Sequence, residues 1–208
     1  MATTPCKTCR RQRQKLFLKG DKCYSPKCLV IQRPFPPGAK KKRSRPSQSE
    51  FAKELFEKQK LKRHYGLSES QFRKYVKDVL QKRGKVDDAT LLLMKKLESR
   101  LDNVIFRLGM ARSRKEAREL VSHSHFLVNK KPVNVASFEV KKGAVIALKD
   151  SKKQKPFFTN LVLGLKKYQP PAWLKLDADN LRGEFIAEPT LPENSNVDIS
   201  SIFEFYSR

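Results

Sequence analysis

Arg100-Leu101-Asp102-Asn103-Val104-Ile105-Phe106-Arg107-Leu108-Gly109 runs straight into Met110-Ala111-Arg112-Ser113-Arg114-Lys115-Glu116-Ala117-Arg118-Glu119-Leu120-Val121, and these residues carry the strongest structural signal in the chain. Leu101, Val104, Ile105 and Leu108 recur at the spacing of one helix face, and Gly109 closes that helix. Ser113 and Glu116 form a capping box for the next helix. It turns Ala117, Leu120 and Val121 inward and leaves Arg114, Lys115 and Arg118 on or near its exposed face. After His123-Ser124-His125 the period changes from helical to two. Phe126-Leu127-Val128 reads as a strand, Lys130-Lys131-Pro132 as a turn, Val133 and Val135 as an extended piece, and Val140 with Ala144 to Leu148 as the last strand. Two helices followed by small strands, with a basic ridge on the second helix, predict a concave phosphate-binding surface.

Upstream the pattern is helical. Ser49 caps a helix from about Glu50 to His64, with Phe51, Leu55 and Phe56 on one face, Leu61 nearby, and Gly66 as its stop. Ser68 and Gln71 form another capping box. The helix behind it carries Phe72, Tyr75, Val76, Val79 and Leu80 inward, holds Arg73, Lys74 and Lys77 outward, and ends at Gly84. Asp88 caps a further helix that buries Leu91, Met94 and Leu97. Downstream, Trp173 is expected in a packing segment, and Phe203, Phe205 and Tyr206 in a strand or tail tucked against the helical part.

The front of the chain carries different chemistry. Cys6-Lys7-Thr8-Cys9 and Cys23-Tyr24-Ser25-Pro26-Lys27-Cys28 are close-spaced cysteine pairs, and the loop between them contains Lys15-Leu16-Phe17-Leu18-Lys19-Gly20. Such pairs match a tetrahedral thiolate site. Cys6, Cys9, Cys23 and Cys28 are the candidate ligands of a structural ion, expected to be zinc, with a four-iron cluster as the alternative. Disulfide pairing is a further alternative, weakened by the compartment: Met1 to Arg13 holds no apolar export segment, so a reducing cytoplasm is expected. After Pro34-Phe35-Pro36-Pro37-Gly38 comes Lys40-Lys41-Lys42-Arg43-Ser44-Arg45-Pro46, an extended arm expected to order on phosphate.

Charge names the class of partner. The 208 residues carry a net charge of +25, graded from +12 over residues 1–50 through +7 and +5 to +1 over 151–208. Self-repulsion of that size calls for a polyanion, and nucleic acid phosphate fits best. A membrane partner is not expected, since Leu91-Leu92-Leu93-Met94 is far shorter than the roughly 20 apolar residues of a span. No Gly-rich nucleotide loop, paired acids or nucleophile elbow speaks for an enzyme.

Residues 100–125 have the form R-L-D-N-V-x-x-R-L-G-x-A-x-S-R-x-x-A-R-x-L-V-x-H-x-H, which is similar to the opening of the S-four RNA-binding domain. The whole chain resembles something narrower, the family of the bacterial small-subunit ribosomal protein number four. The resemblance runs through Cys6 to Cys28, Lys15 to Gly20, Pro36-Pro37-Gly38, Glu57-Lys58-Gln59-Lys60, Tyr65-Gly66, Gln71-Phe72-Arg73, the module above, Trp173-Leu174 and Glu204-Phe205-Tyr206-Ser207-Arg208. It implies an α+β fold: a mainly helical domain with an N-terminal four-cysteine metal-binding segment, and an inserted small RNA-binding module. The expected segments are a basic metal-binding 1–45, a helical 46–97, a module over 98–160, and a segment 161–208 returning to the helical domain.

The resemblance also implies a non-enzymatic structural constituent of the small ribosomal subunit in the cytoplasm. Such a protein is a primary binder of small-subunit ribosomal RNA, in its five-prime domain, and nucleates assembly. It neighbours ribosomal protein number five and the messenger RNA at its entrance channel, influences decoding accuracy, and forms no homo-oligomer. Candidate RNA contacts at the front are Arg10, Arg11, Arg13, Lys15, Lys41, Lys42, Arg43, Arg45, Arg63 and Arg73. In the module they are Arg112, Ser113, Arg114, Lys115, Arg118, His123, His125, Asn129, Lys130 and Lys131. Three departures stand out: Ser124 and Lys130 replace usual family glycines, and Ala39 with the lysine run replaces the usual Gln-His-Gly. A residue other than Gly at positive φ costs about 1 kcal/mol, so the turn at Lys130 is expected to differ in detail. An RNA-modifying enzyme with the same module is the runner-up, but only about 60 residues follow the module, too few for a catalytic domain. A zinc-dependent DNA-binding regulator would need a dimer interface or a recognition helix after the cysteines, where Pro36 and Pro37 stand instead.

Overall fold

The structure is a computed structural model that describes residues 4–38, 49–82, 88–190 and 197–207. The candidate contacts Lys41, Lys42, Arg43 and Arg45, and the expected stop at Gly84, lie outside the described residues. In chain order the elements are α1 Pro5–Arg11, α2 Asp21–Tyr24, α3 Leu29–Gln32, α4 Glu50–His64, α5 Glu69–Leu80, α6 Ala89–Glu98, α7 Leu101–Arg107 and α8 Arg114–Ser122. Then follow β1 Phe126–Val128, β2 Lys131–Pro132, β3 Val145–Leu148, α9 Asp150–Lys153, α10 Pro156–Leu165, β4 Leu174–Asp177, β5 Arg182–Phe185 and α11 Ile199–Ser207. They form two compact units, one from residues 1–90 with 193–208 and one from 91–192.

In the first unit, α11 packs chiefly on α4 and also on α5. Ser49 Oγ accepts the Ala52 N–H and Ser68 Oγ the Gln71 N–H, each satisfying an orphan donor of its helix. α4 ends in a Schellman turn: the Gly66 N–H donates to the Arg63 carbonyl and the Leu67 N–H to the Lys62 carbonyl, with Gly66 at φ +64°. Phe72, Val76 and Val79 form the buried face of α5. The expected apolar face of α4 is only partly realised: Phe51 is exposed, while Glu54, Lys58 and Lys60 are buried beside Leu61. Lys58 is accommodated because Glu69 accepts its hydrogen bond at 2.8 Å and its ammonium lies 4.1 Å from the Phe205 ring centre. The segment expected as a strand or tail tucked against the helical part does pack there, but as a helix, because Ile199, Ile202 and Phe203 recur at helical spacing and are its buried residues.

The second unit is a sheet with helices. The strand order is β2-β1-β3-β5-β4, and every pairing is antiparallel. The sheet therefore does not end with β3, as the expected 98–160 boundary has it. Ile146 of β3 pairs with Gly183 of β5, and the returning strands belong to this sheet rather than to the helical unit. Leu101, Val104, Ile105 and Leu108 of α7 join Ala117, Val121, Phe126, Ile146, Phe158, Leu174 and Phe185 in one core. Each such large side chain, fully buried, contributes roughly 1.5–3 kcal/mol. Gly183 is where sheet and helix touch: a Cβ there would stand 2.7 Å from Leu108 Cδ2. Trp173 is buried as expected, its ring 5.3 Å from that of Phe185. On α6, Asp88 caps as expected by accepting the Thr90 N–H at 2.8 Å. Leu91 is exposed instead of buried, and Leu93 takes the inward position with Met94 and Leu97.

Candidate nucleic-acid interface

α7 and α8 are fixed to each other by a buried polar network. No side chain caps α7. Its first N–H groups go instead to the loop before β3, Leu101 N–H to the Phe138 carbonyl at 2.8 Å and Asp102 N–H to the Ala136 carbonyl at 3.2 Å. Asp102, with 3% of its side chain exposed, accepts Arg100 Nε on Oδ1 at 3.0 Å and Arg100 Nη2 on Oδ2 at 2.8 Å. Arg118 of α8 donates Nε and Nη2 to the same Oδ2. Glu98, also buried, accepts Arg107 Nη2 at 2.8 Å and Asn103 Nδ2 at 2.6 Å. The Asn103 carbonyl oxygen in turn accepts Arg114 Nε at 2.8 Å. The Arg114 guanidinium lies 4.5 Å from the Phe106 ring centre.

This network changes the reading of the basic ridge. Arg114 is buried, not exposed, because its partners on α7 draw it inward. Arg118 is half-buried against Asp102. Lys115, whose side chain is 76% exposed, points to solvent with Glu119 3.7 Å away. Arg112 is exposed beside the Phe157 ring, 5.5 Å from its centre. Ser113 is buried in its cap: its Oγ accepts the Glu116 N–H, and the Glu116 carboxylate accepts the Arg112 N–H, one residue from the backbone donor of a standard capping box.

The histidines and the hairpin follow. His123 is exposed and His125 is buried, its ring edge-on to Phe158 at 5.9 Å. Burial pushes the His125 pKa down, and Lys155, Lys152, His123 and Lys149 push it the same way, so the ring is held neutral. Ser124 ends α8 at φ +54° in a Schellman turn, where its N–H donates to the Val121 carbonyl and that of His125 to the Leu120 carbonyl. Asn129 and Lys130, at φ +49° and +67°, form the two-residue turn between β1 and β2. Lys130 thus adopts the glycine-type conformation, so the turn keeps its backbone course despite the substitution, and Lys131 with Pro132 forms β2 rather than the turn. Asn129 is tied into the sheet through both its N–H and its side-chain oxygen to Val145, while Lys130 and Lys131 are exposed.

In the first unit, Arg10 Nε donates to the Arg33 and Phe35 carbonyls at 2.9 and 2.8 Å, which pins the proline-rich turn. Arg11, Arg13 and Arg73 are exposed, and Lys15 is half-buried. Burial and the nearby Arg11 both lower the Arg63 pKa, the mark of two cations held close together. At the cysteines, Cys9, Cys23 and Cys28 are buried and Cys6 is half-buried, all as free thiols. Burial pushes the Cys9 thiol up, the Leu16 N–H donated to its sulfur pulls it down, and Cys23, Cys6 and Cys28 push it further up. The Lys19 N–H points at Cys23 Sγ from 3.4 Å. These N–H to sulfur contacts suit thiolate ligands in kind. Even so, among the described residues no group of three or more His, Cys, Asp or Glu side chains is arranged to hold a metal ion.

Sequence reading missed Glu98, Asp102, Asn103, Arg100 and Arg107 as the frame of the interface. The signal was there: alternating charged and apolar residues across 98–108 mean that buried positions must hold paired charges.

Two family models match the chain in tandem. That described as "Ribosomal protein S4/S9 N-terminal domain" matches residues 2–98, and that described as "S4 domain" matches residues 99–146. The chain is 45% identical to the small ribosomal subunit protein uS4 of Heliobacterium modesticaldum over 98% of the chain and 96% of that relative. It is 47% identical to uS4 of Caldicellulosiruptor saccharolyticus and 44% identical to uS4 of Kosmotoga olearia, with the same coverage.

Proposed function

The chain belongs to the S-four family of small-subunit ribosomal proteins, and from that premise we propose that it is a primary binder of small-subunit ribosomal RNA. It is a structural, non-enzymatic ribosomal protein of the cytoplasm. In our reading it associates early with the five-prime domain of that RNA, nucleates assembly there, and sits beside ribosomal protein number five and the messenger RNA entrance, where it influences accuracy. The observation that carries RNA binding is the frame of the second unit. Four guanidinium groups are spent internally: Arg114 and Arg118 tie α8 to Asn103 and Asp102 of α7, while Arg100 and Arg107 brace α7 itself through Asp102 and Glu98. Lys115, Arg112, Lys130 and Lys131 then stand exposed on α8, its approach and the hairpin as a preorganised phosphate-binding set. Cations presented on a rigid frame lose little side-chain freedom when they meet a duplex or junction backbone.

The test is filter binding of the full chain to a small-subunit ribosomal RNA transcript between 50 and 200 mM salt. Affinity is expected to fall steeply and linearly in log–log form, with a slope of roughly 0.7–0.9 per phosphate contact. A flat salt dependence, or equal affinity for an unrelated structured RNA, overturns the reading.

For the four cysteines we propose one zinc ion held by Cys6, Cys9, Cys23 and Cys28, a four-thiolate site with no open position for chemistry. Binding would supply much of the folding free energy of a segment with so few buried apolar residues. Elemental analysis of the purified chain is expected to give one zinc per chain; iron in its place would mean a cluster, and neither metal would refute the site.

A further inference from the structure

Within the first unit, α5 and α11 enclose a groove of about 760 Å³ lined by Glu69, Ser70, Arg73, Lys74, Lys77, Leu80, Phe205 and Tyr206. Its volume falls in the usual range for ligand sites, about 300–1,000 Å³. We propose that this groove takes unpaired nucleotides of the ribosomal RNA, with bases against Phe205 and Tyr206 and phosphates on Arg73 and Lys77. The proposal rests on the ribosomal RNA reading and assigns that RNA a second contact, remote in sequence from α8.

Three observations point to this occupant. The first is charge. Arg73, Lys74 and Lys77 are exposed and, among the described residues, none of them forms an ion pair. Arg73 and Lys77 are one helical turn apart on the same face of α5, about 5–6 Å between their Cβ atoms, a spacing that suits successive phosphates of an extended strand. The one acid in the lining is already neutralised, since Glu69 accepts hydrogen bonds from Lys58 at 2.8 Å, from Lys62 at 2.5 Å and from the Tyr206 hydroxyl at 2.8 Å.

The second observation is the aromatic wall. Phe205 and Tyr206 are only half-buried, and their rings meet edge to face with centres 5.3 Å apart. A core pair would be covered; this pair lines an open groove. Stacking on such rings suits any base, because every base has a π-face. The third observation is preorganisation. The Tyr206 ring is anchored at its hydroxyl by Glu69 and flanked by Phe72 at 6.2 Å, and Lys58 lies 4.1 Å from the Phe205 centre and 5.4 Å from that of Tyr206. The wall is therefore set before any ligand arrives. Cations on one side and fixed aromatics on the other are the two components of a single-strand binding groove. An acidic peptide would satisfy the cations but make no use of the aromatic surface that Phe205 and Tyr206 leave open to the groove.

The full chain bound to a small-subunit ribosomal RNA transcript is irradiated with short-wavelength ultraviolet light, and nucleotide adducts are mapped by mass spectrometry. The expected result is an adduct on Phe205 or Tyr206. Tight RNA binding with adducts elsewhere and none on these two residues overturns the groove proposal and leaves the ribosomal RNA reading standing; absence of specific RNA binding overturns both. In parallel, an oligouridine octamer is compared with an abasic octamer of equal charge. The wild type should prefer the bases about five- to a hundredfold, as expected for one stacked base. Tyr206→Leu should lose most of that preference while Tyr206→Phe keeps it, and Arg73→Ala should lower the salt slope by about 0.7. Should Tyr206→Leu fail to fold, Phe205→Leu and the adduct map still decide. Equal affinity for both octamers, or full displacement of the oligouridine by an oligoglutamate peptide with no base preference in the wild type, assigns the groove to a protein partner and sinks the proposal.

Discussion

Arg118 donates both Nε, at 3.0 Å, and Nη2, at 2.7 Å, to one carboxylate oxygen of Asp102 on the neighbouring helix. That oxygen also accepts Arg100 Nη2, so a single buried acid carries two guanidinium groups. Removing one partner of a buried pair costs about 3–5 kcal/mol, because the charge left behind has no compensation. Asp102→Ala is expected at the lower end of that range, since Arg118 can swing part of its charge into water. Trp173 is the only tryptophan and lies in the same unit, so its fluorescence during urea unfolding reads the loss. A cost below about 1 kcal/mol would show that Asp102 is not the keystone of α7 and α8.

Lys115 and Arg118 are three residues apart on one helix but do different work. The Lys115 side chain is 76% exposed and its only ion pair among the described residues is to Glu119, so its loss should leave the unfolding midpoint unchanged within about 0.5 kcal/mol. Its effect should appear in RNA binding, as a salt slope lower by about 0.7–0.9. Arg118→Ala should weaken both stability and RNA affinity, because α8 loses its anchor. If Lys115→Ala destabilises the fold and Arg118→Ala does not, the division between presenting and framing cations is reversed.

The turn at Asn129-Lys130 exchanges stability for charge. Lys130 sits at φ +67°, which costs a residue with a Cβ about 1–2 kcal/mol. Lys130→Gly should therefore raise stability, by about 0.5–1 kcal/mol after the extra freedom of glycine in the unfolded chain is counted. The same variant should bind ribosomal RNA less tightly and with a shallower salt slope. Ser124→Gly, at φ +54° beyond α8, should stabilise by a similar amount without the loss in RNA binding. No gain in stability from either variant would remove strain as the account of these positions.

What was legible in the sequence was local. The helices capped by Ser49, Ser68 and Ser113 could be read because cap and first turn lie within four residues, and each serine oxygen does accept the expected N–H. The Schellman ends at Gly66 and Gly109 were legible for the same reason. What was not legible depended on residues far apart in the chain. β5 joins β3 through Ala147 and Arg182, a pairing that no local pattern announces, and the domain boundary drawn at 160 misses it. Arg114 and Lys115 are adjacent in a basic run, yet only Arg114 is buried, because Asn103 and Phe106 of another helix receive it. Phe203, Phe205 and Tyr206 left strand and tail both open, since aromatic residues favour strands, while the buried Ile199, Ile202 and Phe203 settle on a helix.

Gly183 tests the unforeseen half of the sheet. Gly183→Ala would place a methyl group against Leu108, which is wholly buried, with Cδ2 at 2.7 Å and Cγ at 3.1 Å. Leu108 has no solvent to retreat into, so the overpacking is expected to cost about 1–3 kcal/mol in the Trp173-monitored transition. Leu108→Ala combined with Gly183→Ala should recover part of the cost of Gly183→Ala, since it vacates the space that the new methyl needs. Strict additivity of the two changes would mean that β5 does not lie over α7 as described.

Glu69 gives the first unit its acid sensitivity. Burial alone would raise its pKa, but hydrogen bonds from Lys58, Lys62 and Tyr206 outweigh that effect and pull it from 4.5 to about 2. The groups that face it are Lys58 and Lys62 from α4, Tyr206 from α11, and, around Tyr206, Arg73 of its own helix. A carboxylate with a depressed folded pKa binds its proton more readily in the unfolded chain. Its contribution is therefore fully present above about pH 4.5 and is lost as pH falls through 4.5 toward 2. The same hydrogen bond, after burial, pushes the Tyr206 hydroxyl up, so Tyr206 remains protonated and donating throughout this range. Glu69→Gln removes the titration but leaves the shape. The difference in stability between wild type and variant, followed by far-ultraviolet circular dichroism, should be constant from pH 5 to 7 and shrink between pH 4.5 and 2. Asp198, also lowered in pKa by its Ser201 hydrogen bond, is common to both proteins and cancels in the difference. A difference that stays level down to pH 2 would mean that the lysines and the tyrosine do not hold Glu69 in its charged form.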